Sequence, residues 1–359
     1  MKVSGTNTNY QLGKDSNCKD VFGYRCISPY RDFHLNISSL SSISFLCGHS
    51  CWITKDGRGF AIGSNGKLEI LATLDRDTID KEQEFSLFDD KNRKCNLISL
   101  FCSEDYTLYL VSVEGERNNQ LALQYYYRKK LTFLNTNNHN PIYLFGGKYS
   151  AAAIDTDGNI LFFETDINGH EDLKIASLPN GANPVSIACL VSFIYAVDSN
   201  GEVFKSQYKD PTFSKVKELE KEEVIEVSGI CDRCLAVCKS GRVYEERSFF
   251  GFKKISSLDK YKIVSASAGY DHSLFITEEG KVLAIGDNNN YGELLLESGP
   301  SKNEYKIPVE TSITSGAKFC IAGDSISVVF VSEPPEKTPN KRINQNGRHT
   351  IMKSEKPVE

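Results

Sequence analysis

At 359 residues the chain is longer than one ordinary domain, and its net charge of −5 excludes a global basic field that would hold nucleic acid or an anionic membrane. Apolar residues make up 40% of it, with 20 Phe and 17 Tyr against one Trp, a composition that fills a core and favours strands. No stretch approaches the length of a membrane span, and the N-terminal MKVSGTNTNYQLG lacks the apolar core of a signal peptide. The chain is therefore expected to be intracellular, cytoplasmic or nuclear. Its 11 cysteines are expected to be free, mostly buried thiols, and the sequon Asn36-Ile37-Ser38 carries no meaning without a secretory route.

In chain order, the first element is a strand followed by a glycine corner, MKVSGTNTNYQLG. HSCWITKDGRGFAIGSNG then reads as strand, tight turn at Gly57, strand, glycine corner. The same apolar run, polar turn and apolar run recur in YTLYLVSVEG at Gly115, SAAAIDTDGNILFF at Gly158, FIYAVDSNGEVF at Gly201 and CLAVCKSGRVY at Gly241. They recur again in SAGYDHSLFITEEGKVLAIGDNNNYGELL at Gly280. Successive turn glycines lie 58, 43, 43, 40 and 39 residues apart, the period of a repeat architecture. Glycine at the turn supplies the positive φ that a tight hairpin needs.

Near the C-terminus, FCIAGDSISVVFVSE has only the strand entering a turn, and MKVSGTNTNYQLG has the missing back half. Pairing the two ends closes a ring with no long open edge. The strands are apolar on both faces, which means burial on both faces, as between adjacent blades. The fold class read from these patterns is all-β: a seven-bladed β-propeller over residues 1–332, closed by its N- and C-terminal strands. Residues 333–359 hold four of the 11 prolines, six Lys/Arg and four Glu, and read as a disordered tail. Lys341-Arg342 is too short for a nuclear signal.

These repeats resemble those of the regulator of chromosome condensation (RCC1) family, whose pattern runs Gly-x-x-His-Ser-Leu, a Gly turn, then Val-x-x-Trp-Gly-x-Asn-x-x-Gly-Gln-Leu-Gly. Gly269, His272, Ser273, Leu274, Gly280, Val282, Gly286, Asn288, Gly292 and Leu294 carry the match. So do His49, Ser50, Gly57, Gly63 and Asn65, and the run Gly5 to Gly13 matches the second half. Elsewhere the pattern is eroded. The His position holds Ser150, Phe193 and Arg233, with Tyr106 there after one extra residue. The Trp-Gly position reads Phe163-Glu164 and Glu245-Glu246. The second repeat, with GERNNQLALQYYYRKKLTFLNTNNHNP, lacks the glycine corner and reads as an irregular insert over 116–140.

For His49 and His272 the expectation is packing near the ring axis with a hydrogen bond to backbone; the competing expectation places them at a partner-facing loop. Acidic residues precede the His position repeatedly, at Asp105, Asp232, Asp271 and Asp324. Their first reading is turn formation. The resemblance implies the second, because loop residues near this motif contact the small GTPase in exchange factors of the family.

Cys231-Asp232-Arg233-Cys234 is a CxxC without a second pair at zinc spacing, and it lies in a β segment rather than at a helix start, so strand cysteines are expected. Glu222-Glu223 and Glu245-Glu246 read as solvated loop charge. Tyr125 to Lys130, YYYRKK, interleaves aromatics and bases but reads as a propeller insert with a partly buried Tyr strand rather than a nucleic-acid platform. No phosphate loop, nucleophile elbow or HExxH is present. No cofactor and no metal are implied.

The expected function is that of a monomeric, non-catalytic scaffold that binds a protein partner through one face of the ring. The alternative implied by the resemblance is a guanine nucleotide exchange factor for a small Ran-like GTPase, with 116–140 as a candidate wedge.

Overall fold

The computed structural model describes residues 2–6, 18–21, 24–32, 39–46, 49–64, 78–103, 106–125, 131–164, 173–247, 250–287, 292–296 and 304–332. Three strands lie at the start of the chain: β1 (Lys2–Thr6), β2 (Cys18–Val21) and β3 (Tyr24–Asp32). Blade 1 follows as β4 (Leu40–Leu46), β5 (His49–Thr54), β6 (Gly59–Ser64) and β7 (Thr78–Phe85). Blade 2 is β8 (Leu87–Phe88), β9 (Lys94–Cys102), β10 (Tyr106–Val113), β11 (Gln120–Tyr125) and β12 (Leu131–Phe133). Blade 3 is β13 (Pro141–Gly146), β14 (Ser150–Asp155), β15 (Ile160–Glu164) and β16 (Lys174–Ala176). Blade 4 is β17 (Pro184–Cys189), β18 (Phe193–Asp198), β19 (Val203–Gln207) and β20 (Asp210–Lys215). Blade 5 is β21 (Val224–Ile230), β22 (Arg233–Cys238), β23 (Val243–Arg247) and β24 (Lys253–Lys254). Blade 6 is β25 (Ile263–Ala268), β26 (His272–Thr277), β27 (Val282–Asp287) and β28 (Glu304–Glu310). Last come β29 (Ala317–Ala322) and β30 (Ile326–Val331).

These strands form seven antiparallel sheets of four or five strands, a seven-bladed propeller. The seventh blade joins the chain ends in the order β2-β3-β1-β30-β29. Its closing register pairs Lys2 with Val329, Val3 with Val328, Ser4 with Ser327 and Gly5 with Ile326. The ring therefore closes through backbone hydrogen bonds, as the split repeat in the sequence requires.

Burial on both strand faces has a direct cause. Among the described residues the core divides into seven apolar clusters, each shared by two neighbouring blades. Leu108 and Leu110 of β10 face Ala151 and Ala153 of blade 3, whereas Tyr109 and Val111 face Cys51 and Ile53 of blade 1. Each strand is thus sandwiched, and alternation between wet and dry faces disappears.

At the axis the innermost strands splay and cannot ladder with one another. Side-chain oxygens take over that task. Ser42 Oγ accepts from Leu100 N at 3.2 Å, Ser44 Oγ from Cys102 N at 3.0 Å and Ser186 Oγ from Val227 N at 3.2 Å. Ser228 Oγ accepts from Ala268 N at 3.1 Å and Ser267 Oγ from Ala322 N at 2.9 Å.

Three sequence readings need correction, the first being Glu245-Glu246, which lies in β23 with Glu246 buried and is not solvated loop charge. Segment 116–140 is not an insert: it contains β11 and β12, the outer half of blade 2. Buried Leu121, Ala122 and Leu123 hold β11 against its neighbours, so apolar packing replaces the absent glycine corner. In blade 5 the register places Arg247, not Glu246, opposite the first residue of the second strand, Arg233. The chain there runs one residue further than the pattern Glu245-Glu246 suggested. No helix among the described residues is long and apolar enough to cross a membrane. The tail expected at 333–359 and the corners at 7–17 and 288–291 lie outside the described residues.

Candidate functional site

The up-and-down order of each blade gives the disc two unlike faces. On one, the second and third strands join through short turns, at 55–58, 156–159, 199–202, 239–242 and 278–281. Their glycines adopt positive φ, +75° at Gly280 and +80° at Gly57. Aspartates shape several of them: Asp155 Oδ1 accepts from Asp157 N at 2.9 Å and Asn159 N at 2.7 Å, and Asp198 Oδ1 accepts from Asn200 N and Glu202 N.

The opposite face carries the turns between first and second strands, among them 231–232, 269–271 and 323–325. Asp232, Asp271 and Asp324 all lie there, in the turns of blades 5, 6 and 7, each just before or one residue away from a second strand. Asp105 lies outside the described residues. The turns of blades 6 and 7 touch directly, with Tyr270 N donating to Gly323 O at 3.1 Å. Burial, reinforced by the charges of Asp287 and Asp324, pushes the Asp271 carboxyl above its ordinary value.

Two further features mark this face. Lys148, in the turn of blade 3, places its Nζ 5.5 Å from the ring centres of both Tyr149 and Tyr270, so the cation spans the axis between blades 3 and 6. Both tyrosines remain exposed. A cleft of about 280 Å³ between blades 5 and 6 is lined by Arg233, Glu245, Arg247, Asp271, Asp287 and Lys306, among others. Within it Glu245 Oε1 accepts from Arg233 Nε at 2.5 Å and Arg247 Nε at 3.0 Å.

His49 and His272 are not loop residues. Each is the first residue of a second strand, 3% and 1% exposed. His272 Nε2 lies 2.8 Å from Ser327 Oγ in blade 7, and His49 Nε2 lies 3.5 Å from Thr107 Oγ1 in blade 2. The next blade thus offers each ring a hydroxyl, and offers His272 the expected backbone partner too, at Ile326. The ring of His272 rests on Gly269, where a Cβ would fall 2.8 Å from Cε1; this is why the motif needs glycine three residues earlier. Burial, with the nearby charge of Arg233, lowers the His272 pKa to about 3.

The eroded repeats keep the same task with other groups. Tyr106 Oη donates to Gly147 O at 3.1 Å and Ser150 O at 2.9 Å in blade 3. Ser150 Oγ donates to Leu190 O at 2.8 Å in blade 4, and Arg233 Nη1 to His272 O at 2.9 Å in blade 6. In five blades this residue bonds the next blade.

The CxxC is split by the fold. Cys231 occupies the turn at φ +54°, while Cys234 and Cys238 belong to β22. Burial pushes the Cys238 thiol up to about 12 and raises that of Cys234 as well. A different set of donors converges where the sequence showed nothing. His49, Cys51 and Cys102 are all buried, with ligand atoms within 4.8 Å of one another. Burial raises the Cys51 thiol. It pushes Cys102 the same way, but hydrogen bonds with Cys51, His49 and Ser44 outweigh it and hold Cys102 below its ordinary value. Cys102 sits in a different repeat from its partners, so no spacing motif could reveal it.

Residues 263–293 match the regulator of chromosome condensation (RCC1) repeat. No curated protein matches the sequence. Among solved structures, human WBSCR16 superposes with a TM-score of 0.73 at 12% identity, over 92% of this chain and 99% of that one. Prp20p of Saccharomyces cerevisiae, described with its binding to Gsp1p and histones, gives 0.67 at 12% identity, over 93% and 92%. Yeast RCC1 (Prp20) bound to Kap60 gives the same score over 93% and 89%. Residues 263–293 thus carry an RCC1-type repeat, and the chain as a whole shares the propeller fold of these structures.

Proposed function

We propose that this RCC1-like propeller is a protein-binding scaffold whose partner docks on the face of Asp232, Asp271 and Asp324. The observation that carries the reading is the asymmetry of the disc. One face is closed by short glycine turns; the other gathers three acidic turns and exposed Tyr149 and Tyr270. Connections of that kind, held by a rigid frame, are where binding residues concentrate. The chain's acidic balance points to a partner with a basic surface.

The second reading is nucleotide exchange on a small Ran-like GTPase, supported by the description of Prp20p as binding Gsp1p. Exchange needs no covalent step: the factor binds the nucleotide-free form better than the loaded form, and that difference drives release.

One experiment separates them. Release of a fluorescent GDP analogue is followed from a panel of small GTPases, with the unaltered chain and with Asp271→Lys, Asp324→Lys and, on the opposite face, Glu278→Lys. Faster release lost in the Asp variants alone establishes exchange on this face. Binding without faster release, weakened by the Asp variants alone, establishes the scaffold. Partner binding that only Glu278→Lys weakens overturns the assignment of the face.

A further inference from the structure

The structure assigns a buried zinc site to His49, Cys51 and Cys102 at the interface of blades 1 and 2. The placement follows from the strands. Side chains two apart on a strand share a face, so His49 and Cys51 of β5 both point at blade 2. Cys102 ends β9, the innermost long strand of blade 2, whose N–H is fixed by Ser44 Oγ of blade 1 at 3.0 Å. The three ligand atoms lie within 4.8 Å of one another, and the residues are 3%, 0% and 0% exposed.

One imidazole nitrogen with two sulfurs is a soft to borderline donor set that suits zinc or cuprous copper, not calcium or magnesium. Charge decides between the two. Two thiolates and a neutral imidazole cancel the charge of Zn²⁺, whereas Cu⁺ would leave a net negative charge, which burial penalises. Thr107 Oγ1 lies beside the set, 3.5 Å from His49 Nε2. Full burial makes the site a staple between blades rather than a catalytic centre. Binding Zn²⁺ displaces one proton from each thiol.

The test uses the full chain, reduced, incubated with Zn²⁺ and freed of excess metal. The expected result is one equivalent of zinc per chain. Replacement by Co²⁺ should give thiolate-to-metal charge-transfer absorption, lost in both Cys51→Ser and Cys102→Ser but retained in Cys189→Ser, a buried cysteine at another interface. If the serine variants do not fold, zinc-edge X-ray absorption on the unaltered chain decides, with two sulfur neighbours and at least one nitrogen expected. Substoichiometric zinc, zinc retained by both serine variants, a native Cys51–Cys102 disulfide, or binding of Cu⁺ to the exclusion of Zn²⁺ would each overturn the assignment.

Discussion

In blade 6 the second strand begins at His272 and faces Gly286; in blade 2 the same place holds Tyr106, facing Tyr125. Blade 6 carries the repeat signature and blade 2 has lost it, yet both build the same antiparallel sheet and both bond the following blade from this position. The difference lies in how crowded the site is. A Cβ at Gly286, whose φ is +122°, would meet Asp271 O at 2.2 Å. His and Gly are kept together in blades 1 and 6, as His49–Gly63 and His272–Gly286. They are lost together in blades 3, 4 and 5, as Ser150–Glu164, Phe193–Gln207 and Arg233–Arg247. The signature is thus one solution to an interblade contact that a tyrosine, a serine or an arginine also solves.

The comparison breaks most easily at Tyr106. Its fully buried ring and two hydrogen bonds to blade 3 should make Tyr106→Ala cost about 4 kcal/mol of unfolding free energy in a denaturant titration. If the loss stays within about 1 kcal/mol, the eroded blade does not depend on its replacement residue.

The turn glycines sharpen the contrast. At Gly280 an added Cβ would fall 2.8 Å from Gly316 N, whereas at Gly115 the nearest atom is Arg93 Nη1 at 3.7 Å. Both positions have positive φ, +75° and +83°. Gly280→Ala should therefore cost about 3 kcal/mol by combining backbone strain with a backbone clash, and Gly115→Ala about 1 kcal/mol from strain alone. Equal losses would mean that the positive φ shared by both turns sets the cost and that crowding adds nothing.

Blade 6 should also have a pH signature. Ser327 Oγ, bonded to His272, also bonds the carbonyl of Glu293, whose Oε2 is buried without a hydrogen-bond partner among the described residues. Burial, aided by Asp287 and Asp271, raises Glu293 from 4.5 to about 7, while His272 falls from 6.5 to about 3. The folded state then holds the Glu293 proton more tightly than the unfolded state, so its contribution to stability falls as pH rises from 4.5 to 7. His272 has the opposite sign: the unfolded state takes its proton first, so stability rises with pH from 3 to 6.5. The two slopes cancel where the windows overlap. Glu293→Gln should remove a penalty of about 3 kcal/mol at pH 7.5 and leave the rising slope of His272 exposed between pH 4.5 and 6.5. Thermal unfolding across that range checks it; parallel profiles for variant and parent would show that Glu293 titrates normally. Tyr106→Phe, like Gly115→Ala, should cost only about 1 kcal/mol, here for two carbonyls deprived of a donor, measured in the same titration as the alanine variant.

Much of this molecule was legible in the residues alone. Turn glycines at near-constant spacing and strands apolar on both faces determined the blade count, because each hairpin must bury both of its faces against neighbours. The split repeat at the two termini determined the closure, because unpaired strand edges seek partners. Tertiary structure decided the rest. It placed two blade strands, β11 and β12, within 116–140, since buried Leu121 and Leu123 hold a blade together without the glycine corner. It showed that Tyr106, Ser150 and Arg233 do the work of His272, since a contact is made by reach and polarity rather than by residue name. It brought Cys102 to His49 and Cys51, since only closing one blade against the next joins groups that the chain keeps in separate repeats.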